Sequence, residues 1–541
     1  MTELPTDSPT DPNRFVTGAL GAGAVVVAAM GAALLATYPG ASPGVLLWFY
    51  ASGCAAVLIP LWFPSSFFVF LLSSFLFVGF IAKAIANFVF GVKLIEPIGT
   101  FTSEWDHALI FAASGLSGVC LANLVAALYP SFRHTLRASG TARLANFVLG
   151  AFVLLMVVSV TVYWANYSFH ILRIGFPLGI DMNARIYAVA AFVIAWGALL
   201  GGLTAVLWLI ELRGWPYAAL IHTATFLGSL ASVSMGSRIQ ILLYVLAAFA
   251  VVVLRRRQVR SWIAVALAMG LAALVFAGSL AVVSFERTFD FSLNAPATPQ
   301  AAPAATRQAA PAASSGSGST GAGSASSEIP ATPPAATASP EPHATSLVDK
   351  VETVTHDRSA LQGLFRQLRN LAIMRWVGME GVMTAAANSD RLGAGLFLKV
   401  MSEDPAAGSH AIYQKMSGDR YGNVEYYTFL TLPGPVGVAS LSGSLLVVAA
   451  FMFALTLVGH SIEWGAARAT QNLAAASATG VSLAYLTVQM GFPWTLLIYA
   501  IELVLSVLFL GAVWRITKRL TSTNDRVGEE GRPVLEPQSR G

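Results

Sequence analysis

Long apolar runs alternate with short polar connections along most of the chain. The runs fall at roughly 16–38, 44–61, 65–88, 107–129, 145–167, 187–210, 216–235, 238–254, 261–284, 436–459, 474–490 and 493–514. About 20 helical residues are needed to cross some 30 Å of hydrocarbon, and the shorter runs fit tilted or partly re-entrant segments. The pattern predicts an all-α polytopic membrane protein with about twelve transmembrane helices, nine in 16–284 and three in 436–514. Residues 1–15 and 515–541 are its polar tails. No small-residue cleavage site follows the first run, which is expected to stay as a helix rather than leave as a signal peptide.

One long polar interval separates the ninth and tenth runs. Its first part, 285–345, is mostly Ala, Pro, Ser, Thr and Gly, and 294–345 has no aromatic residue, Leu or Val. Such a stretch cannot bury a core and is expected to be a disordered linker. Residues 346–435 differ. Leu361, Leu364, Leu368 and Leu371 recur at helical spacing, which predicts an amphipathic helix over 358–376, bent or ended by Gly378 and Gly381. A second helix is predicted over 391–403, ending at Asp404-Pro405. The interval reads as a helical cap on the membrane domain.

Composition narrows the class. The 541 residues are 56% hydrophobic and 11% charged, with mean hydropathy +0.67, against about 25% charged in soluble domains. An ordinary cytosolic enzyme and a globally disordered chain are both excluded. Cys54 and Cys120 lie in apolar runs, so no disulfide framework is expected. Orientation follows the basic loops: Arg133, Arg137 and Arg143; Arg255, Arg256, Arg257 and Arg260; Arg515, Lys518 and Arg519. Twelve crossings with both termini cytoplasmic put all three groups inside and 285–435 outside.

The chemistry is defined first by what the sequence lacks. There is no Gly-rich phosphate loop, no pair of His at helical spacing and no Asp-x-Asp, which argues against nucleotide-driven transport, a transition-metal centre and a metal-dependent nucleotide-sugar enzyme. No nucleic-acid motif is present, and no cofactor is expected. Arginine on the outer side is the positive signal. Arg358, Arg366, Arg369 and Arg375 lie on one predicted helix; Arg366 and Arg369 share a face, and Arg375 continues the apolar stripe towards the membrane. Guanidinium forks suit phosphate, although Asp349, Glu352 or Glu380 could equally pair with them. Arg238 opens the eighth run at the outer surface, against both the positive-inside bias and the helix dipole, so an anion is expected beside it. Arg173 and Arg185 lie in the third outer loop. Glu380, between Gly378 and Gly381 and near Trp376 and Met379, is the first candidate base, ahead of His170, His410 and Asp390. Lys83 and Glu502 are charges inside predicted spans, and pairing with each other is the simplest expectation.

Two stretches carry a likeness. Gly236-Ser237-Arg238 resembles the Ser-Arg element of the bacterial O-antigen polymerase and ligase families. Arg375–Gly381, Thr431–Gly437 and the Ser440–Ser444 span start resemble the later outer loop of polysaccharide repeat-unit (Wzy-like) polymerases. The Arg-x10-Gly pattern of that loop is not met, because Arg366 precedes Gly378 by one residue too many. The resemblance implies a metal-independent glycosyltransferase of GT-C-like layout, with a helical periplasmic cap, on the periplasmic face of the bacterial inner membrane, acting on polyprenyl-diphosphate-linked oligosaccharides. It implies membrane lipids and a chain-length regulator as further partners. In that reading Arg238 and Arg375 stabilise the departing diphosphate. Arg366, Arg369, Arg173, Arg185 and His170 hold substrate, Glu380 acts as base, and grooves between spans take the polyprenyl tails. An O-antigen ligase and a polysaccharide flippase or other transporter are the competing expectations.

Overall fold

The computed structural model describes residues 12–63, 66–94, 101, 104–128, 141–173, 189–294, 376–418 and 432–530. The chain divides into two compact units, Met1–Phe289 with Ala372–Gly541, and Asp290–Leu371. Of the second, only Asp290–Asn294, the end of a helix, is described. Residues 285–294, expected to begin the linker, instead continue a helix; the rest of the expected linker, 295–345, and the expected helix over 358–376, except Trp376, lie outside the described residues.

Among the described residues the secondary structure is helical, with no strand. In chain order the main helices are α1 (Pro12–Thr37), α2 (Pro43–Trp62), α3 (Phe67–Phe88), α4 (Trp105–Ala127), α5 (Ala142–Phe169), α6 (Val189–Arg213), α7 (Ala218–Ser234), α8 (Gln240–Leu254) and α9 (Trp262–Asn294). They continue as α10 (Met379–Ala387), α11 (Ala394–Met401), α12 (Ile412–Ser417), α13 (Gly434–Ser440), α14 (Leu445–Thr470), α15 (Leu473–Val488) and α16 (Pro493–Glu530). Eight are long and apolar enough to cross a membrane: α2 to α6, the Trp262–Glu286 part of α9, α14, and the Pro493–Leu520 part of α16. Four more apolar helices, α7, α8, α15 and Val25–Thr37 of α1, are shorter. The chain is thus a polytopic membrane protein, with eight candidate spans among the described residues.

The short α15 lies at the centre. Its sequence, LAAASATGVSLAYLTV, is dominated by small residues, and Ala474, Ala475, Ala476, Ser477, Thr479, Val481 and Ala484 are all fully buried. It packs against α3, α6, α8 and α14. Small side chains let backbones approach closely, which drives helix association where lipid tails are as apolar as the helices themselves. Asn472 caps α15 by accepting from Ala474 N and Ala475 N, at 2.8 and 3.1 Å, and donates to Thr204 O on α6. Ser477 Oγ donates to Ala247 O on α8 at 2.8 Å. The same device joins α4 to α14, where a Cβ on Gly118 would overlap the Ala449 carbonyl oxygen.

The expected tenth span, 436–459, is displaced. The chain makes the short α13, breaks at Leu441–Ser444 and restarts as α14. Gly443 takes φ +70° at the break, and Leu441 O accepts from Gly393 N at 2.9 Å. Ser440, Ser442, Gly443 and Ser444 interrupt the apolar run at this point, a turn signal that the expected span 436–459 runs across.

The displacement draws Glu463 into α14, where it is fully buried. Its carboxylate accepts from Ser66 Oγ at 2.5 Å, Phe67 N at 2.8 Å and Phe68 N at 2.7 Å. It thereby satisfies orphan donors at the start of α3, where the helix dipole favours a negative charge. Gly459 packs on the Phe68 ring, and Gly480 of α15 lies against Phe67 and Phe68. Three elements therefore meet at the first turn of α3. Glu463→Ala leaves buried N–H groups without an acceptor and is expected to destabilise the protein by about 2–4 kcal/mol. Glu463→Gln, which keeps one acceptor, should cost clearly less. Thermal unfolding in detergent measures both, and equal melting temperatures for the two variants would contradict this role.

Candidate functional site

The expected site residues fall into two groups, and several lie outside the described residues. Arg366, Arg369, Arg375 and Arg185 are among the latter.

The first group forms at one end of the bundle, where α5 ends and α7 turns into α8. Asn166, fully buried near the end of α5, organises it. Its side-chain carbonyl accepts from Leu172 N at 2.7 Å, and its amide donates to Leu172 O at 3.2 Å and Ser234 O at 2.9 Å. One residue thus holds both the turn after α5 and the turn between α7 and α8. His170 ends α5 in the left-handed region, φ 52°, with its N–H on Asn166 O at 2.8 Å, and its side chain is exposed. Arg173 follows and pairs with Glu286 of α9 at 2.7 Å, its side chain 8% exposed. In the other turn Gly236 adopts φ +59°, Ser237 N donates to Ser232 O at 2.9 Å, and Ser232 Oγ donates to Ser237 O at 2.6 Å. Arg238 leaves this turn partly buried, two residues before α8 begins. The close α7–α8 hairpin depends on Gly228, whose Cβ would lie 2.8 Å from Ile241 Cα.

His170, Arg173 and the Arg238 turn are therefore brought together, through a residue that was not anticipated. An Asn near the end of an apolar run was the available signal, because a buried amide needs partners. Glu286 was likewise unmarked.

The second group contains Glu380, and here two expectations are corrected. Lys83 does not pair with Glu502; its ammonium is bound to Glu380 instead, with the two side chains 2% and 12% exposed. Among the described residues Glu502 has no ion pair, and its Oε2 is buried without a hydrogen bond. The glycines beside Glu380 do not open space for a ligand. Gly378 packs on Gly79, its Cβ position 2.7 Å from Gly79 O, and a Cβ on Gly381 would overlap Pro433 O. Trp376 stacks on Phe75 with ring centroids 5.9 Å apart. Helix α10 is accordingly buried against α4 and α13, with Met379, Val382, Ala385 and Ala386 fully inaccessible. This part of the interval expected to form an outer cap is packed against Gly79, in the interior of the span α3. The physical reason is the amphipathic period of a short apolar helix flanked by glycines, which reads the same on a surface as in a bundle.

Lys83 itself follows a π-helical stretch, Val78–Ala82, inside α3. Such stretches redirect a helix and frequently occur at functional sites. A second one, Val193–Gly197, lies in α6. Buried Tyr163 donates to Ile194 O there at 3.2 Å and meets Tyr244 Oη at 3.0 Å.

The segment beyond α10 carries α11 at Ala394–Met401, within the expected 391–403, and then α12. Glu403 Oε1 accepts from Ile412 N at 2.7 Å and ties the two. Partial burial raises its pKa above the ordinary value, outweighing the Ile412 hydrogen bond and Lys415.

Among the described residues no group of His, Cys, Asp and Glu has a metal-holding arrangement. Cys54 and Cys120 are both free thiols. Comparison with protein-family models, with curated proteins and with solved structures gives no match.

Two outcomes are expected. Breaking the Lys83–Glu380 pair by Lys83→Met or Glu380→Gln should each cost about 3–5 kcal/mol, whereas the double replacement should recover most of that loss. A double-mutant cycle on detergent melting checks the coupling. Because burial disfavours the Glu403 carboxylate by more than the Ile412 hydrogen bond favours it, the packing of this segment should be tightest below the ordinary glutamate range and loosen as pH rises through its raised pKa. Hydrogen-exchange protection at Ile412, corrected for intrinsic rates, should follow that trend and lose it in Glu403→Gln.

Proposed function

We propose that this protein is a polysaccharide polymerase of the bacterial inner membrane. It would join polyprenyl-diphosphate-linked oligosaccharide repeat units on the periplasmic side. The twelve apolar helices would all cross or enter the bilayer with both termini cytoplasmic. The observation that carries the reading is the corner built on Asn166, which holds the Ser237-Arg238 turn beside His170 and Arg173. It lies at the ends of α5, α7 and α9 remote from the Arg255–Arg260 group.

In the proposed reaction a sugar hydroxyl of one lipid-linked unit attacks the anomeric carbon of the growing chain. A new glycosidic C–O bond forms, the bond to the diphosphate oxygen breaks, and the carrier leaves as the lipid diphosphate. Arg238 and Arg375 neutralise the charge that develops on it, because fixed guanidinium donors need no reorganisation as the bond breaks. Arg366, Arg369 and Arg185 hold the second lipid-linked unit. The hydroxyl proton goes to a base. Glu380 is engaged by Lys83, so His170, exposed beside Arg173, takes precedence in that role.

A second reading has its own support. The buried Lys83–Glu380 pair sits at a π-helical stretch, beside the short interior helices α10 and α13. Interrupted helices with buried charge also suit a transporter or flippase.

A deletion strain separates these readings. Surface glycan reduced to a single capped repeat marks a polymerase. Loss of all capping marks a ligase or an earlier step, the flippase included. Arg238→Ala and Arg375→Ala should each lower polymer about a hundredfold or more while the protein still inserts. Normal polymer from both, together with a defect in the double variant Lys83→Met/Glu380→Gln, in which the stability lost by each single change is largely recovered, would favour transport instead.

A further inference from the structure

We propose that the cleft between α14 and α16 is a binding site for an anionic diacyl phospholipid, with one acyl chain in the cleft and the phosphate at Arg468 and Arg515. The site is independent of the polymerase reading and on a different part of the bundle.

The two helices meet where Gly511 packs on Ala469, the Gly511 Cβ position lying 2.7 Å from the Ala469 carbonyl oxygen. Away from that crossing they diverge and leave a groove of about 440 Å³. Leu457, Ile462, Gly465, Val504, Val507 and Leu508 line it. Val458 and Leu508 at its edges are each 56% exposed, and a Cβ on Gly465 would enter open space. The one hydroxyl in the lining, Ser461, already donates to Leu457 O at 2.8 Å. The groove therefore offers an occupant only apolar surface, which suits a hydrocarbon chain.

Charge at the crossing selects the kind of chain-bearing molecule. Leu457, Ser461, Gly465 and Arg468 follow one another at three- and four-residue steps down α14, and Val504, Leu508, Gly511 and Arg515 do so down α16. Both arginines are exposed. Arg468 lies over the Trp464 ring, 4.3 Å from its centroid, which holds the guanidinium at the crossing. Two cations at the end of an apolar groove, on the side where Lys518 and Arg519 follow, complement an anionic headgroup of the inner leaflet.

The test uses full-length protein purified in detergent and native mass spectrometry. The probes are dioleoyl phosphatidylglycerol and dioleoyl phosphatidylcholine at equal concentration. The intact protein should bind the phosphatidylglycerol preferentially. Arg468→Gln with Arg515→Gln should erase the preference, a loss of about fivefold per guanidinium, while the phosphatidylcholine adduct persists. Gly465→Phe, whose side chain enters open space, should lower both adducts. An undiminished preference in the double arginine variant, or wild-type binding by Gly465→Phe, would overturn the site. Displacement of phosphatidylglycerol by equimolar undecaprenyl phosphate would overturn the choice of a diacyl lipid.

Discussion

Inside a bilayer the helices of this protein gain little from hiding apolar surface from one another, because the lipid is equally apolar. Close contact and satisfied polar groups must hold them instead. Helix α15 expresses that constraint most fully. Alanine, serine, threonine and glycine along its length let α3, α6, α8 and α14 approach its backbone, and Asn472 and Ser477 add hydrogen bonds to α6 and α8. Where α4 meets α14, Gly118 repeats the device.

Buried polar groups supply the second level of order. Glu463 closes the start of α3, Asn166 holds two turns at the other end of the bundle, and Lys83 locks Glu380 of α10 in place. In a low-dielectric interior each such group is costly alone and specific once partnered. They therefore fix register and depth, which apolar packing by itself leaves loosely determined. Arg173–Glu286 and Arg255–Glu211, the latter at 3.6 Å, do the same nearer the two ends. Arg255, one of the basic group used to orient the chain, is drawn into the bundle and is only 5% exposed.

This arrangement bears on function through position. The Arg238 turn is rigid because Gly236 permits its left-handed step and Ser232 and Asn166 hold its carbonyls. That turn fixes where the Arg238 side chain leaves the backbone, and in the proposed reaction such a cation would meet the leaving diphosphate. Glu380 has the opposite character. Its helix is wedged between spans by glycine-to-backbone contacts, so its first role is to anchor α10.

The apolar periodicity alone determined that the chain is a helical membrane protein, because a run of some 20 uncharged residues has few other stable fates. It also marked the short α7, α8 and α15. Arg238, at a helix start where a cation is out of place, was visible for the same electrostatic reason. Other features were decided only by tertiary structure. The break before α14 is marked in sequence by Ser440, Ser442, Gly443 and Ser444, but the extension of α14 to Thr470 and the burial of Glu463 followed only from packing. The partner of Lys83 lies 297 residues away in sequence, beyond any local pattern. Glycines at 378 and 381 read equally as openings for a ligand or as seats for a neighbouring backbone, and only the helices packed against them distinguish the two.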